Sequence, residues 1–409
     1  MTRLRFGAFL APHHPIGEHP TLQFRSDIAL ATLLDELGYD EFWCGEHHST
    51  GWEMIASPEM FLAAVGEHTK RIKLGTGVIS LPYHHPFNVA QRIVQLDHMT
   101  GGRAIFGTGP GALPSDAHTL NINPLKQRDQ QDEALGVIRR LLKGEPRFSY
   151  DCEWFTLNDA KLQLLPLQED LPMVVASTIS PSGMTLAGKY GIGVISIASS
   201  STEGLAALAT QWSFAEQAAA KHGNTVSRKN WRVLSSWHIA ETREQARREA
   251  GEGLMRWNNE YVVGTLNRPG AKLFKSPDEA VDETAFVPGA ASVIGTPDDL
   301  IASVRKLLEV TGGFGTLVGF VHDWANRENT RRSWDLVARY VIPELNGMLD
   351  HYRESHAHVV ANRESFELAG RAVLNKIMEH EGAAKALEVT KNSRLAMPGH
   401  HAQNLDRKS

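Results

Sequence analysis

Eight short apolar, β-branched runs alternate along the chain with segments of helical periodicity, and this alternation restricts the fold more than any other feature. The runs are Leu4–Leu10, Glu41–Cys44, Ile72–Ser80, Ala104–Gly107, Met173–Ala176, Val194–Ala198, Val233–Ile239 and Thr316–Val321. They are nearly continuously apolar, the pattern of parallel strands covered on both faces. The stretches between them carry helix signals. Leu30, Leu33, Leu34 and Leu37 share one helical face, and Gly38 follows as a C-cap. Thr296-Pro297-Asp298-Asp299 reads as an N-cap, an N1 proline and an acidic first turn, ahead of an apolar stripe of Leu300, Val304, Leu307 and Leu308. Repeated strand–helix units predict a parallel α/β fold, and eight of them predict a (β/α)8 TIM barrel over residues 1–350. A doubly wound sheet is the rival. The cluster Gly107-Thr108-Gly109-Pro110-Gly111 is not G-x-G-x-x-G, however, and Pro110 removes an N–H that a phosphate cradle uses.

Two regions fall outside a plain barrel. Residues 258–293, between the seventh and eighth runs, have weak periodicity and contain Asn267-Arg268-Pro269-Gly270, Ser276-Pro277 and Pro288-Gly289. They read as an insertion forming an active-site lid, because long loops in compact domains usually carry function. Residues 351–409 read as a helical C-terminal tail, with helices expected at Phe366–Ile377 and Ala383–Val389.

Composition removes several function classes. The chain has 409 residues, 42% hydrophobic and 22% charged, as in a globular protein with a sizeable core. A net charge of -5 argues against a general nucleic-acid partner. No run of about 18 apolar residues is present to span a membrane, and the N-terminus lacks a signal peptide's apolar stretch. Cys44 and Cys152 make no disulfide framework, which suits a reducing cytoplasm.

Chemistry concentrates where the runs stop. The second ends in Gly45-Glu46-His47-His48, the third in Leu81-Pro82-Tyr83-His84-His85-Pro86, and the fourth in the glycine cluster. In a barrel such ends converge at one mouth, drawing Glu46, His47 and His48 towards His84, His85, Gly109 and Trp324. Imidazoles and a carboxylate are metal-ligand chemistry, but adjacent residues diverge and the first run has no H-x-H, so no metal is expected. His48, His84 and His85 each also read as side chains satisfying backbone carbonyls. Gly75 and Gly77 inside a strand suit either a flat ligand approaching the backbone or a bulge. Asp97 and Arg103 flank a turn and can pair across it; Asp116 reads as structural. His238, at the end of the seventh run, is a further pocket candidate.

The order of these motifs resembles the bacterial luciferase-like, flavin-dependent monooxygenase family. The matching residues are Phe6-Gly7-Ala8-Phe9, Leu37-Gly38-Tyr39-Asp40, Glu46-His47-His48, Leu74-Gly75-Thr76-Gly77, His85-Pro86, Leu96-Asp97-His98-Met99, Gly101-Gly102-Arg103, Gly107-Thr108-Gly109 and Gly295-Thr296-Pro297. Within the family, His322-Asp323-Trp324-Ala325-Asn326-Arg327-Glu328 is similar to the limonene monooxygenase-like branch. The resemblance implies reduced FMN lying across the mouth, supplied by a separate flavin reductase. It implies reaction with O2 through a C4a-(hydro)peroxyflavin and oxygenation of a small apolar substrate, for instance epoxidation of a monoterpene alkene such as limonene. His47 would be the catalytic residue, setting protonation at the peroxide. Glu46 would orient it. Gly77 and Val78, joined by a non-prolyl cis peptide, would lie beside the ring with Gly109. Ser180, Ser182, Gly183 and Met184 would bind the phosphate, and His48, His85 and Trp324 would line the substrate pocket. Some relatives place an arginine where this chain has Pro110, so a cationic clamp is missing. The resemblance also implies a homodimer or larger assembly. Its alternatives are an F420-dependent oxidoreductase on the same barrel and a non-catalytic flavin-binding protein.

Overall fold

The computed structural model describes residues 3–11, 13–197, 202–287, 290, 292–383 and 385–386. Ala198 of the sixth run, Pro288-Gly289 of the insertion, and the tail beyond residue 386 lie outside the described residues. The strands are β1 (Arg5–Leu10), β2 (Glu41–Cys44), β3 (Lys73–Thr76), β4 (Ile79–Ser80), β5 (Ala104–Gly109), β6 (Phe148–Asp151), β7 (Thr156–Ala160), β8 (Met173–Ser177), β9 (Gly193–Ser196), β10 (Trp231–Ile239), β11 (Ser292–Gly295) and β12 (Thr316–Phe320).

Parallel pairing runs β1–β2–β3–β5–β8–β9–β10–β12, and β12 returns to β1, so eight strands close a barrel. The period of two within each strand divides the core. Phe9, Trp43, Ile105, Val174, Ile195, Leu234 and Val318 point inward and fill the lumen. Phe6, Phe42, Leu74 and Phe106 point outward into the larger layer under the helices. Each such fully buried side chain contributes roughly 1.5–3 kcal/mol. The cap signals are realised. Gly38 ends the helix Pro20–Leu37 with φ 84°, and Thr296 and Asp299 form a reciprocal capping box on the helix Pro297–Thr311.

Three features differ from the sequence reading. The third run is two strands, because a cis peptide between Gly77 and Val78 interrupts it. An antiparallel hairpin, β6–β7, follows the helix Gln127–Leu142; its strands are largely exposed, so they lack the apolar signature of barrel strands. The 258–293 insertion is not an unstructured lid. The helix Arg243–Arg256 runs on into a π-helical segment Trp257–Thr265, followed by the helix Pro277–Ala285 and then β11, which pairs with Ser236–Ile239 of β10. Asn259 ties the returning chain down, donating to the Phe274 carbonyl at 2.8 Å and accepting from the Phe274 N–H at 2.9 Å.

Met1–Asn346 forms one compact unit and Gly347–Ser409 a second. The second contains the helices Asp350–Ala361 and Arg363–Met378, with Phe366 6.1 Å from the His358 ring.

Candidate active site

The loop after β2 enters the mouth because Gly45 N–H donates to the Leu10 carbonyl, continuing the β1–β2 ladder. Glu46 is then buried. Its Oε1 accepts from His48 Nε2 and His84 Nε2, each at 2.7 Å, and its Oε2 accepts from the Ser80 N–H at 2.7 Å. Burial opposes ionisation, but these partners outweigh it and hold the carboxyl below its ordinary range. Glu46, His48 and His84 have metal-ligand chemistry and close spacing. Arg92 Nη2 lies 3.4 Å from His84 Nδ1, which places the His84 proton on Nε2, facing Glu46. The trio is therefore satisfied internally by hydrogen bonds.

His47 takes a different direction from His48. Its Nδ1 lies 3.2 Å from Asp116 Oδ2 and its Nε2 lies 3.2 Å from Glu53 Oε1. Burial disfavours the charged ring, yet the Asp116 hydrogen bond and the charges of Glu53, Asp116 and Glu46 raise its pKa above the ordinary imidazole value. Asp116 also accepts from Ser49 Oγ at 2.5 Å and the His48 N–H at 3.1 Å. Glu53 accepts from His13 Nε2 at 3.0 Å and from the Tyr261 hydroxyl at 2.5 Å. Against burial, these contacts keep both carboxyls below their ordinary range. The result is an imidazole held between two carboxylates that favour its protonated form.

Aromatic side chains enclose this cluster. Tyr261, from the π-helical segment, lies 4.6 Å from the His13 ring and 5.4 Å from Trp52. Beyond His13, the rings of Phe320, His322 and Trp324 stack in succession, with Trp257 against them. Part of the insertion thus roofs the mouth.

The glycines have a partly different reason from the one expected. A Cβ on Gly75 would run into the Trp43 ring, and one on Gly77 would come within 2.7 Å of the Phe9 ring. These two make room for the lumen core. Gly109 is buried against the half-buried Val78, whose side chain a Cβ there would meet. The β8 end leads to Ser180 and Ser182, whose hydroxyls are 2.8 Å apart, and to the helix Ser182–Tyr190. Gly183 and Met184 lie in its first turn, where amides have no intrahelical acceptor. This donor set suits a phosphate, without a cation from position 110.

Other candidates stand elsewhere. His85 is exposed, caps the helix Pro86–Met99 and meets Phe155 edge-on at 5.8 Å, apart from the His47 cluster. His238 is bound to Glu249 at 2.9 Å, and burial lowers its pKa. Asp97 and Arg103 do not pair. Asp97 accepts from Gln168, whereas Arg103 donates to the Gly66, Thr69, Ile72 and Thr100 carbonyls. Asp116, read as structural, is instead a direct partner of His47. Glu53, His13, Tyr261 and His322 went unnoticed as site residues. Only His322 had a usable signal, the period of two from Phe320 through Trp324 past the last strand.

A cavity of about 990 Å3 lies outside this cluster, lined by His14, Asp27, Glu249, Arg256, Asp323 and Trp324 among others. It touches neither His47 nor Glu53, so the chemistry of the mouth, not this volume, locates the candidate site. His14 lies between Asp27 at 2.9 Å and Asp323 at 2.8 Å. Burial works against its charge, but the two carboxylates push its pKa up to about 10.

Comparison with known proteins identifies the family. The 4-hydroxyprotoasukamycin monooxygenase of Streptomyces nodosus subsp. asukaensis is 46% identical over 374 residues, covering 91% of this chain and 100% of that protein. The limonene 1,2-monooxygenase of Rhodococcus erythropolis is 44% identical over 349 residues, covering 85% and 88%. The oxygenating constituent of 3,6-diketocamphane monooxygenase from Pseudomonas putida, solved with FMN, superposes with a TM-score of 0.71 at 26% identity, covering 84% of this chain and 99% of that one. Among the described residues no helix is long and apolar enough to cross a membrane. The family model for luciferase-like monooxygenases matches residues 4–313, and with these relatives it shows that the chain belongs to the luciferase-like monooxygenase family.

Proposed function

We propose that this protein is a two-component oxygenase. It takes reduced FMN from a separate reductase and places one atom of O2 into a small, largely apolar, unsaturated molecule. Epoxidation of a monoterpene-like alkene is the simplest such reaction. The observation that carries this reading is the pairing of His47 with Asp116 and Glu53 at the carboxyl-terminal rim of the barrel. The protein would work in the cytoplasm as a homodimer or larger assembly; its two free cysteines suit a reducing compartment.

Bound reduced flavin would supply the activation of O2. Val78 and Gly109 would face the flat ring, and Ser180, Ser182, Gly183 and Met184 would hold the phosphate. Glu46, anchored by three hydrogen bonds, fixes the loop that presents His47. His47 releases a proton into the cleft and takes it back. The contacts of 3.2 Å at both ring nitrogens are long enough to be exchanged for a ligand atom. Glu53 and Asp116 stabilise the protonated ring and fix its orientation. Tyr261, Trp52 and Trp257 exclude water. Trp324 stands with His13 and His322 at the substrate side, and His48 backs Glu46.

The experiment is anaerobic titration with reduced FMN followed by 18O2 and limonene. One labelled oxygen atom in the organic product supports the reading. Tight binding of F420 with hydride transfer and no O2 uptake would replace it with the deazaflavin alternative. FMN binding without turnover on any alkene would favour a non-catalytic flavin carrier.

A further inference from the structure

The aromatic wall carries polar groups that the cluster around His47 does not use. Phe320, His322 and Trp324 alternate along the chain past β12 and project to one side. Their rings stack at 4.4 and 3.9 Å with interplanar angles of 19° and 11°. Trp257 closes over them, 5.6 Å from His322 and 6.3 Å from Trp324. His13 meets the other end, 5.6 Å from Phe320, and is bound to the same Glu53 oxygen as His47. The wall is therefore contiguous with the His47 cluster.

Four of its ring nitrogens are buried with no hydrogen-bond partner among the described residues: His13 Nδ1, Trp257 Nε1, His322 Nδ1 and Trp324 Nε1. His13, His322 and Trp324 are 9%, 8% and 3% exposed. A buried polar atom without a partner is costly, and an indole N–H can only donate. One such atom is a packing accident. Four in one stack of contacting rings leave a concentration of unmet hydrogen-bonding capacity, and one of them, on Trp324, belongs to a residue that lines the neighbouring cavity. His322 Nε2 is engaged by Ser236 Oγ at 2.9 Å, which fixes the ring and leaves Nδ1 directed elsewhere. Burial drives the His322 pKa well below its ordinary value, so its ring adds no charge to the wall.

We propose that this wall recognises an acceptor oxygen, a carbonyl or hydroxyl, on the substrate, which is then an oxygen-bearing unsaturated ring rather than a plain hydrocarbon. The inference rests on the oxygenase reading above and narrows its substrate class. Trp257 and Trp324 supply the donor N–H groups. The neutral His322 ring beside them suits an uncharged oxygen better than a carboxylate, whose burial would need a countercharge. A hydrocarbon of the same shape fills the space but leaves the indoles unpaired. Discrimination then arises from the unsatisfied groups of the site itself.

Limonene and carvone test this directly, because carvone is the limonene skeleton with one ring carbonyl. Kd values are measured by calorimetry on the full chain without flavin, for the wild type, Trp324→Phe and Trp257→Phe, with FMN Kd measured in parallel. The expected wild-type preference for carvone is about tenfold or more. Each Phe variant should bring that ratio towards one while FMN affinity stays the same. If Trp324→Phe fails to fold, Trp257→Phe alone decides. Equal wild-type Kd values for the two terpenes, or no measurable binding of carvone, overturn the proposal. Loss of FMN affinity in the variants also overturns it, by assigning the wall to the cofactor. A wild type that binds no FMN sinks the oxygenase reading as well, whereas normal FMN binding with equal terpene Kd values sinks this inference alone.

Discussion

Replacing Glu53 by Gln isolates what its charge does. The side chain is 4% exposed, and its two oxygens accept from His13 Nε2 at 3.0 Å, His47 Nε2 at 3.2 Å and the Tyr261 hydroxyl at 2.5 Å. Gln has nearly the same shape. Its carbonyl oxygen can still accept from both imidazoles, and its NH2 can turn to Tyr261, whose hydroxyl rotates to accept. Hydrogen bonds are retained in number, and only the charge is lost. Charge-assisted bonds contribute roughly 1.5–3 kcal/mol and neutral ones about 0.5–1.5, so the variant should be destabilised by about 1–2 kcal/mol while His47 is protonated. The pH dependence follows from the raised His47 pKa. A group whose folded pKa lies above its unfolded value contributes stability that is complete below about pH 6.5 and fades as pH rises through the folded pKa. Glu53 itself stays ionised across this range, because its pKa is lowered. The cost of Glu53→Gln should therefore be largest near pH 6 and shrink as pH rises through the folded His47 pKa, read by urea denaturation across an alkaline pH series. A cost that stays constant across the series, or a more stable variant at pH 6, would refute the idea that Glu53 and His47 form a charged pair.

Four further outcomes are expected. His47→Ala should bind FMN normally but release hydrogen peroxide with little oxygenated product; normal coupling would remove His47 from the mechanism. Gly109→Ala should push Val78 from its place and weaken FMN binding, at a cost of about 1–3 kcal/mol in stability. Gly107→Ala should cost more than that, because the new Cβ collides with the Thr76 carbonyl, which is backbone and cannot swing aside; similar melting temperatures for the two variants would contradict this ordering. The His14 pair with Asp27 and Asp323 should stabilise the fold fully below about pH 6.5 and lose its effect as pH rises through about 10. Asp27→Asn should flatten that alkaline loss in a series of thermal melts.

The barrel was legible in the chain because its evidence is local. Each strand is buried on both faces, so it reads as an apolar run, and each connecting helix carries its own stripe and caps, as Gly38 and Thr296 do. The loop carrying Glu46, His47 and His48 was legible for the same reason, since an abrupt polar ending to a buried strand is visible in a few residues. The partners of His47 were not. Asp116 and Glu53 lie 69 and 6 positions from it, on a helix and a loop, and Tyr261, which holds Glu53, lies 214 positions away in the insertion; no periodicity links them. β6, β7 and β11 were missed because pairing, not composition, makes them strands. The reason for Gly75 also waited for the fold, since only the lumen shows the Trp43 ring lying against it. Sequence alone determined the eight barrel strands and the capped helices between them, because burial and caps act over a few residues. Tertiary structure decided which carboxylates hold the proton and which ring nitrogens are left without partners, because closing the barrel is what brings those distant groups into contact.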